Sequence, residues 1–92
     1  MDARDFAAIL RAEGFDETLT RSLAAGTQVP EHTHPFDAKL LVTAGAFTLT
    51  MDGHAVTHGP GEVFSVPAGH RHAEAAGPEG ADYLAGRRHR VG

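Results

Sequence analysis

Residues 32–45, HTHPFDAKLLVTAG, place two histidines one residue apart and then run into an apolar segment. Side chains alternate between the two faces of a strand, so His32 and His34 project the same way and Thr33 projects the other way. If their common face points inward, two imidazoles lie side by side on a rigid element, which is the geometry that a metal chelate requires. The stretch therefore predicts a buried strand that begins beside a metal site.

The composition limits the classes of protein to consider. The 92 residues suffice for one domain with a small core, and they include seven histidines but no cysteine, so a bound metal must have nitrogen and oxygen ligands. The net charge is −4, and the only cationic run is Arg87-Arg88-His89-Arg90, which argues against a nucleic-acid partner. No apolar run approaches the roughly 20 residues that cross a bilayer, and the start, MDARDF, is acidic where a secretory signal is basic. We expect a cytoplasmic protein without a membrane partner.

The first segment predicts a short helix over residues 2–13. Its apolar residues Phe6, Ile9 and Leu10 form one stripe, Asp2 is suited to cap the start, and Gly14 is suited to end it. Such a stripe must pack against its own barrel or against a second subunit. We therefore divide the chain into an N-terminal helix (1–14), a barrel (15–86) and a loose basic tail (87–92).

The rest of the chain alternates apolar and polar residues between turn signals. The turn signals include Asp52-Gly53, which is typical of a two-residue hairpin, and Gly77-Pro78-Glu79-Gly80. Gly45 is expected to divide one apolar segment into two strands. About seven or eight short strands after a single helix predict an all-β antiparallel sandwich or barrel.

A third metal ligand is expected from the stretch PAGHRHAE, residues 67–74. The Pro-Ala-Gly turn starts a strand, and His70, His72 and Glu74 share one face of it. His72 is the natural third imidazole, with His70 and Glu74 as further candidates.

With these two segments the chain resembles a small single-domain cupin over roughly residues 18–86. The first cupin motif is a glycine, five residues, His-x-His, a glutamate and a closing glycine; the second is a glycine, five residues, Pro-x-Gly, two residues and a histidine. The matching positions here are Gly26, His32, His34 and Gly45, followed by Gly61, Pro67, Gly69 and His72. The resemblance implies a double-stranded β-helix (jelly-roll-like, RmlC-like) barrel with a divalent metal at its mouth.

Two positions depart from the cupin motifs. Ala38 stands where the motif glutamate belongs, and Ala76 stands in the place of the closing asparagine of the second motif. The prediction is a metal held by His32, His34 and His72, with water, substrate, Asp37 or Glu74 in the remaining positions. Zinc, nickel, iron, manganese and copper all suit such ligands.

The function stays open between three classes. A metal-dependent enzyme of the cupin type, such as a dioxygenase, isomerase or hydrolase, would act on a small polar or aromatic molecule, with His70 or Glu74 moving protons. A non-enzymatic barrel would bind or sense a small molecule, and a structural barrel would use the metal only for stability. We also expect a homodimer, because small barrels with free sheet edges have reason to cover them. Surface positions are predicted for His54, His58 and His89.

Overall fold

The computed structural model describes residues 1–89 and contains one helix and six strands in this part of the chain. They are α1 (Ala3–Ala12), β1 (Glu17–Leu23), β2 (Gln28–His32), β3 (Phe36–Met51), β4 (His54–His58), β5 (Val63–Val66) and β6 (His72–His89). The strands pair in the order β1-β6-β3-β4, while β2 also pairs with β6 and β5 with β3. All pairs are antiparallel, and the predicted all-β, double-stranded β-helix with one N-terminal helix is confirmed. None of the helical residues among 1–89 forms a segment long and apolar enough to cross a membrane.

The two long strands β3 and β6 form the frame of the barrel and bend together at a pair of glycines. Gly45 in β3 and Gly80 in β6 both have positive φ, 76° and 82°. A Cβ atom on Gly45 would collide with the carbonyl oxygen of Gly80, so only glycine allows the two backbones to approach so closely here. The bend lets one strand contribute to both halves of the barrel.

This bend corrects the expected number of strands. The sequence predicts strand ends at Gly45 and at residues 77–80. In the structure, β3 and β6 each continue through these positions. The register between the two strands shifts from Gly45–Ala81 to Phe47–Ala76, so residues 77–80 bulge out opposite Ala46. A bulge interrupts the ladder without ending the strand, because hydrogen bonding resumes on both sides of it.

The helix packs on the outside of its own barrel, which decides between the two alternatives for its apolar stripe. Asp2 caps it as predicted, accepting a hydrogen bond of 2.8 Å from the backbone N–H of Asp5. Phe6 and Leu10 are buried and contact Leu41 of β3. The neighbouring residues of β3 face the other way, into the main core around Phe47.

The basic tail begins later than predicted. Arg87, Arg88 and His89 continue β6, and Arg88 donates hydrogen bonds of 3.3 and 3.1 Å to Asp37 and one of 2.9 Å to the carbonyl oxygen of Glu13. The Arg88 guanidinium thus joins the Asp37 carboxylate to the end of the helix, and the three residues 87–89 are part of the barrel. The remaining predicted tail, residues 90–92, lies outside the described residues.

Candidate metal centre

The predicted histidines converge at one end of the barrel. His32 ends β2 and lies directly opposite His72 of β6 in the ladder, and Gly69 donates a 2.8 Å hydrogen bond to the carbonyl oxygen of His34. The ring centroids are 4.3 Å apart for His32 and His72, 4.6 Å for His34 and His72, and 5.4 Å for His32 and His34. The Pro-Ala-Gly turn therefore brings the second histidine segment against the first, as the sequence predicts.

Glu74 joins the three histidines. One carboxylate oxygen, Oε2, lies 3.3 Å from Nε2 of His72 and 3.8 Å from Nε2 of His32. One ligand atom from each of the four residues lies within 4.8 Å of all the others. We call His32, His34, His72 and Glu74 the metal-site group. The sequence predicts Glu74 as a further candidate ligand. Because it is two residues from His72 on the same strand, both side chains face the site.

Two backbone carbonyl groups set the tautomers of the imidazoles. Nδ1 of His32 donates to the carbonyl oxygen of Pro30 at 2.8 Å, and Nδ1 of His72 donates to that of His70 at 2.9 Å. In the neutral imidazoles the proton is therefore on Nδ1, which leaves the Nε2 lone pairs to face the centre of the group, as they must in a metal ligand.

Burial favours the neutral form of the His34 imidazole. Removal from water lowers the pKa of His34 below its usual 6.5, and the neighbouring His72 and His32 lower the pKa further. A neutral imidazole is the form that coordinates a metal. The buried Nδ1 of His34 has no hydrogen-bond partner among the described residues.

Two of the predicted site residues lie elsewhere. Asp37 faces the opposite side of β3, where it bonds Arg88 and accepts a 2.8 Å hydrogen bond from the backbone N–H of Ala68. Alternation along the strand separates it from the metal-site group, and no bulge at this position reverses that. His70 points toward the β3–β4 turn and lies 3.0 Å from Asp52. Neither residue joins the metal-site group.

A cavity of about 170 Å³ opens beside the metal-site group and extends into the barrel. Ala38, at the position of the motif glutamate, lines it together with the apolar side chains of Phe36, Leu40, Val66 and Ala85. Replacement of a long carboxylate by a methyl group therefore leaves open space on the β3 side of the group.

Sequence reasoning missed two arginines at this cavity. Arg21, Arg87 and Tyr83 also line it. Arg21 shares one face of β1 with Leu19 and Leu23. That shared face is the sequence signal that could have identified Arg21 as a cavity residue. Arg87 falls in the predicted basic tail. Removal from water raises the pKa of the Tyr83 hydroxyl, so it is neutral and available as a hydrogen-bond donor.

Comparisons with known proteins agree with this geometry. A sequence model described as the Cupin domain matches residues 19–91. No curated protein sequence matches the chain. Among solved structures, a protein of unknown function from Rhizobium leguminosarum BV. viciae 3841 is 26% identical with a TM-score of 0.74, over 79% of this chain and 69% of that one.

Two further solved structures are of named proteins. The DMSP lyase DddQ from Ruegeria pomeroyi DSS-3 is 28% identical with a TM-score of 0.72, over 80% of this chain but only 38% of its own. KdgF from Halomonas sp. is 23% identical with a TM-score of 0.67, over 79% of this chain and 68% of its own, a likeness that shows the fold alone.

Proposed function

The chain belongs to the cupin domain family, and from that premise we propose that it holds a divalent transition metal through the metal-site group and uses it to bind and transform a small polar or aromatic molecule. Three imidazoles and one carboxylate form a ligand set without sulfur that suits zinc, nickel, iron, manganese or copper. The adjoining cavity supports this proposal because it offers space for a ligand next to the ion.

One observation carries the proposal: electron pairs face one another in the metal-site group with no proton donor between them. Nε2 of His72 is fully buried and has no hydrogen-bond partner among residues 1–89, yet it lies 3.3 Å from Oε2 of Glu74. Nδ1 of His72 donates to the His70 carbonyl oxygen, so in the neutral imidazole both facing atoms are acceptors. A buried polar atom without a partner costs free energy, and a cation placed between these atoms removes that cost for both at once.

The chemistry we propose is that of an oxygenase, isomerase, lyase or hydrolase. When bound, the ion supplies Lewis acidity toward a ligand oxygen. The chain itself orients the ligand against the apolar cavity wall, and the Tyr83 hydroxyl is placed to donate a hydrogen bond to it. A likeness of 28% identity to a lyase supports inclusion of that class. A barrel that binds or senses the same molecule without transforming it is the non-enzymatic form of this proposal.

A second candidate is a structural role for the metal, and the attachment of β2 favours it. The register between β2 and β6 holds only at Gln28–Ala75, Val29–Glu74 and His32–His72, and it shifts between the last two pairs. An ion shared by His32 of β2 and His72 of β6 would fasten this weak junction.

Metal analysis of the purified protein tests the proposal. We expect about one bound ion per chain in the wild type, and its loss in His72→Ala, since the variant removes a ligand from the centre of the group. His54→Ala is the matched control, because His54 is exposed at the start of β4. Unchanged metal content in His72→Ala, with the fold retained by circular dichroism, would contradict the proposed ligand set.

A further inference from the structure

The arginine end of the cavity, defined by Arg21 and Arg87, has a chemistry of its own. These two guanidinium groups line the cavity together with the Tyr83 hydroxyl, whereas the other lining residues outside the metal-site group are apolar. Arg21 is exposed and Arg87 is partly buried, so both guanidinium groups can be reached by a ligand that enters the cavity. The identity of such a ligand is the question that the proposed function leaves open.

Arg87 is fixed in position by aromatic stacking. Its guanidinium carbon lies 4.6 Å from the ring centre of Phe36, and the same ring stacks on His34 at 4.4 Å with an angle of only 6° between the planes. The phenyl ring therefore contacts both the guanidinium and a metal-site imidazole. The ion pair of Arg87 with Glu17 is 3.5 Å long, which leaves most of its N–H groups available.

Arg21 approaches the cavity from β1. It lies opposite Tyr83 in the ladder with β6, between Leu19 and Leu23, the two apolar residues on the same face of β1. The guanidinium makes no ion pair with any carboxylate of residues 1–89. Its positive charge is thus uncompensated at the mouth of the cavity.

We propose that the cavity binds a small carboxylate whose charged end contacts Arg21 and Arg87 and whose other oxygen reaches toward the metal-site group. A guanidinium matches the planar geometry of a carboxylate with two parallel N–H groups. The apolar wall formed by Leu40, Val66 and Ala85 fits a short carbon body between the two ends. A phosphate ion would make no use of this wall, so the carboxylate is favoured.

Charge supports the same conclusion. Among residues 1–89, Arg87 pairs with Glu17 and Glu74 lies beside His72, while Arg21 pairs with no carboxylate. A divalent ion adds two positive charges next to this set, and an anionic ligand restores the balance in a cavity with limited water. The inference rests on the proposed function for the role of the metal, but the arginine end has its own test.

The test uses pyruvate and its neutral amide, pyruvamide, as probes in a titration followed by backbone amide NMR shifts. It is run on zinc-loaded and on metal-free protein. We expect pyruvate to shift resonances of the cavity strands and to bind at least about tenfold more tightly than pyruvamide. Arg21→Gln and Arg87→Gln should each weaken pyruvate about tenfold while zinc affinity stays within about threefold. Arg71→Gln is the control, since Arg71 pairs with Glu31 outside the cavity.

Each outcome decides between the two proposals. Equal binding of pyruvate and pyruvamide, or pyruvate binding that neither arginine variant weakens, would overturn the carboxylate site. Arginine-dependent pyruvate binding to a protein that takes up no zinc would support the carboxylate site and overturn the metal proposal. Inorganic phosphate is added as a competitor; displacement of pyruvate by phosphate at equal concentration would assign the site to anions in general and overturn the preference for carboxylates.

Discussion

Replacement of His72 by phenylalanine should reverse the order of stability between wild type and variant, depending on the metal. In the absence of metal, the wild type keeps the Nε2 atom buried without a partner, which costs about 1–3 kcal/mol. The variant removes that cost, but it also removes the hydrogen bond to the His70 carbonyl, worth about 1 kcal/mol. We therefore expect the metal-free variant to be as stable as the wild type or to be more stable by up to about 2 kcal/mol.

Zinc should restore the advantage of the wild type. An ion present at 100 times its dissociation constant stabilises the folded state by about 2.7 kcal/mol, which corresponds to a rise of more than about 10 °C in Tm for a domain of this size. Thermal unfolding with a chelator and with zinc measures both states, and His54→Phe is the control. If the metal-free variant melts far below the wild type, or if zinc raises both Tm values equally, the argument from the unpartnered nitrogen is refuted.

The other predictions concern ligand charge, backbone geometry, protonation and assembly. Glu74→Gln should weaken zinc binding at least about tenfold by calorimetry. Ala38→Glu added to this variant should recover part of the lost affinity, because position 38 lines the cavity. No recovery would count against the position assigned to the motif glutamate. Gly45→Ala should lower the free energy of unfolding in urea by more than about 2 kcal/mol. Gly53→Ala is the control, because Gly53 has a similar φ of 78° but open space around it, and it should cost only about 1 kcal/mol. Equal costs would exclude the close approach of the strands as the cause. The pKa of His34 is lowered on folding, so its contribution to the stability of the metal-free protein is complete above the unfolded pKa and is lost as the pH falls from there through the lower folded pKa. His34→Gln should therefore flatten the decline in urea midpoint from about pH 7 to pH 5. A homodimer remains a prediction, checked by light scattering, in which a mass of one chain, 9.7 kDa, would disprove it.

The metal-site group was largely predictable because strand alternation acts locally. His32 with His34, and His72 with Glu74, each differ by two residues, so each pair shares a face whatever the rest of the fold does. The meeting of the two pairs at one site is implied by the resemblance of both segments to the cupin motifs. The exclusion of Asp37 also follows from alternation, since it differs by an odd number from Ala38, whose side chain lines the cavity.

The arginine end was not predictable from local patterns. Arg21 and Arg87 are 66 positions apart, and they meet because β1 pairs with the second half of β6, a register that no local signal specifies. A run of three cations in four residues is also typical of a solvated tail. Likewise, glycine marks both strand ends and bulges, and only the pairing on either side of Gly45 distinguishes the two.

The bulge at residues 77–80 separates the two ends of the cavity along a single strand. His72 and Glu74 precede it, and Tyr83 and Arg87 follow it. Residues 77–80 lie outside the ladder between Gly45–Ala81 and Phe47–Ala76. A change of chain length at residues 78 and 79, between the close contacts of Gly77 and Gly80, would be absorbed in the bulge, while the same change in a paired part of β6 would turn every later side chain to the opposite face. The bulge is thus a place where chain length can vary during evolution while the chemistry of one end stays coupled to the recognition at the other.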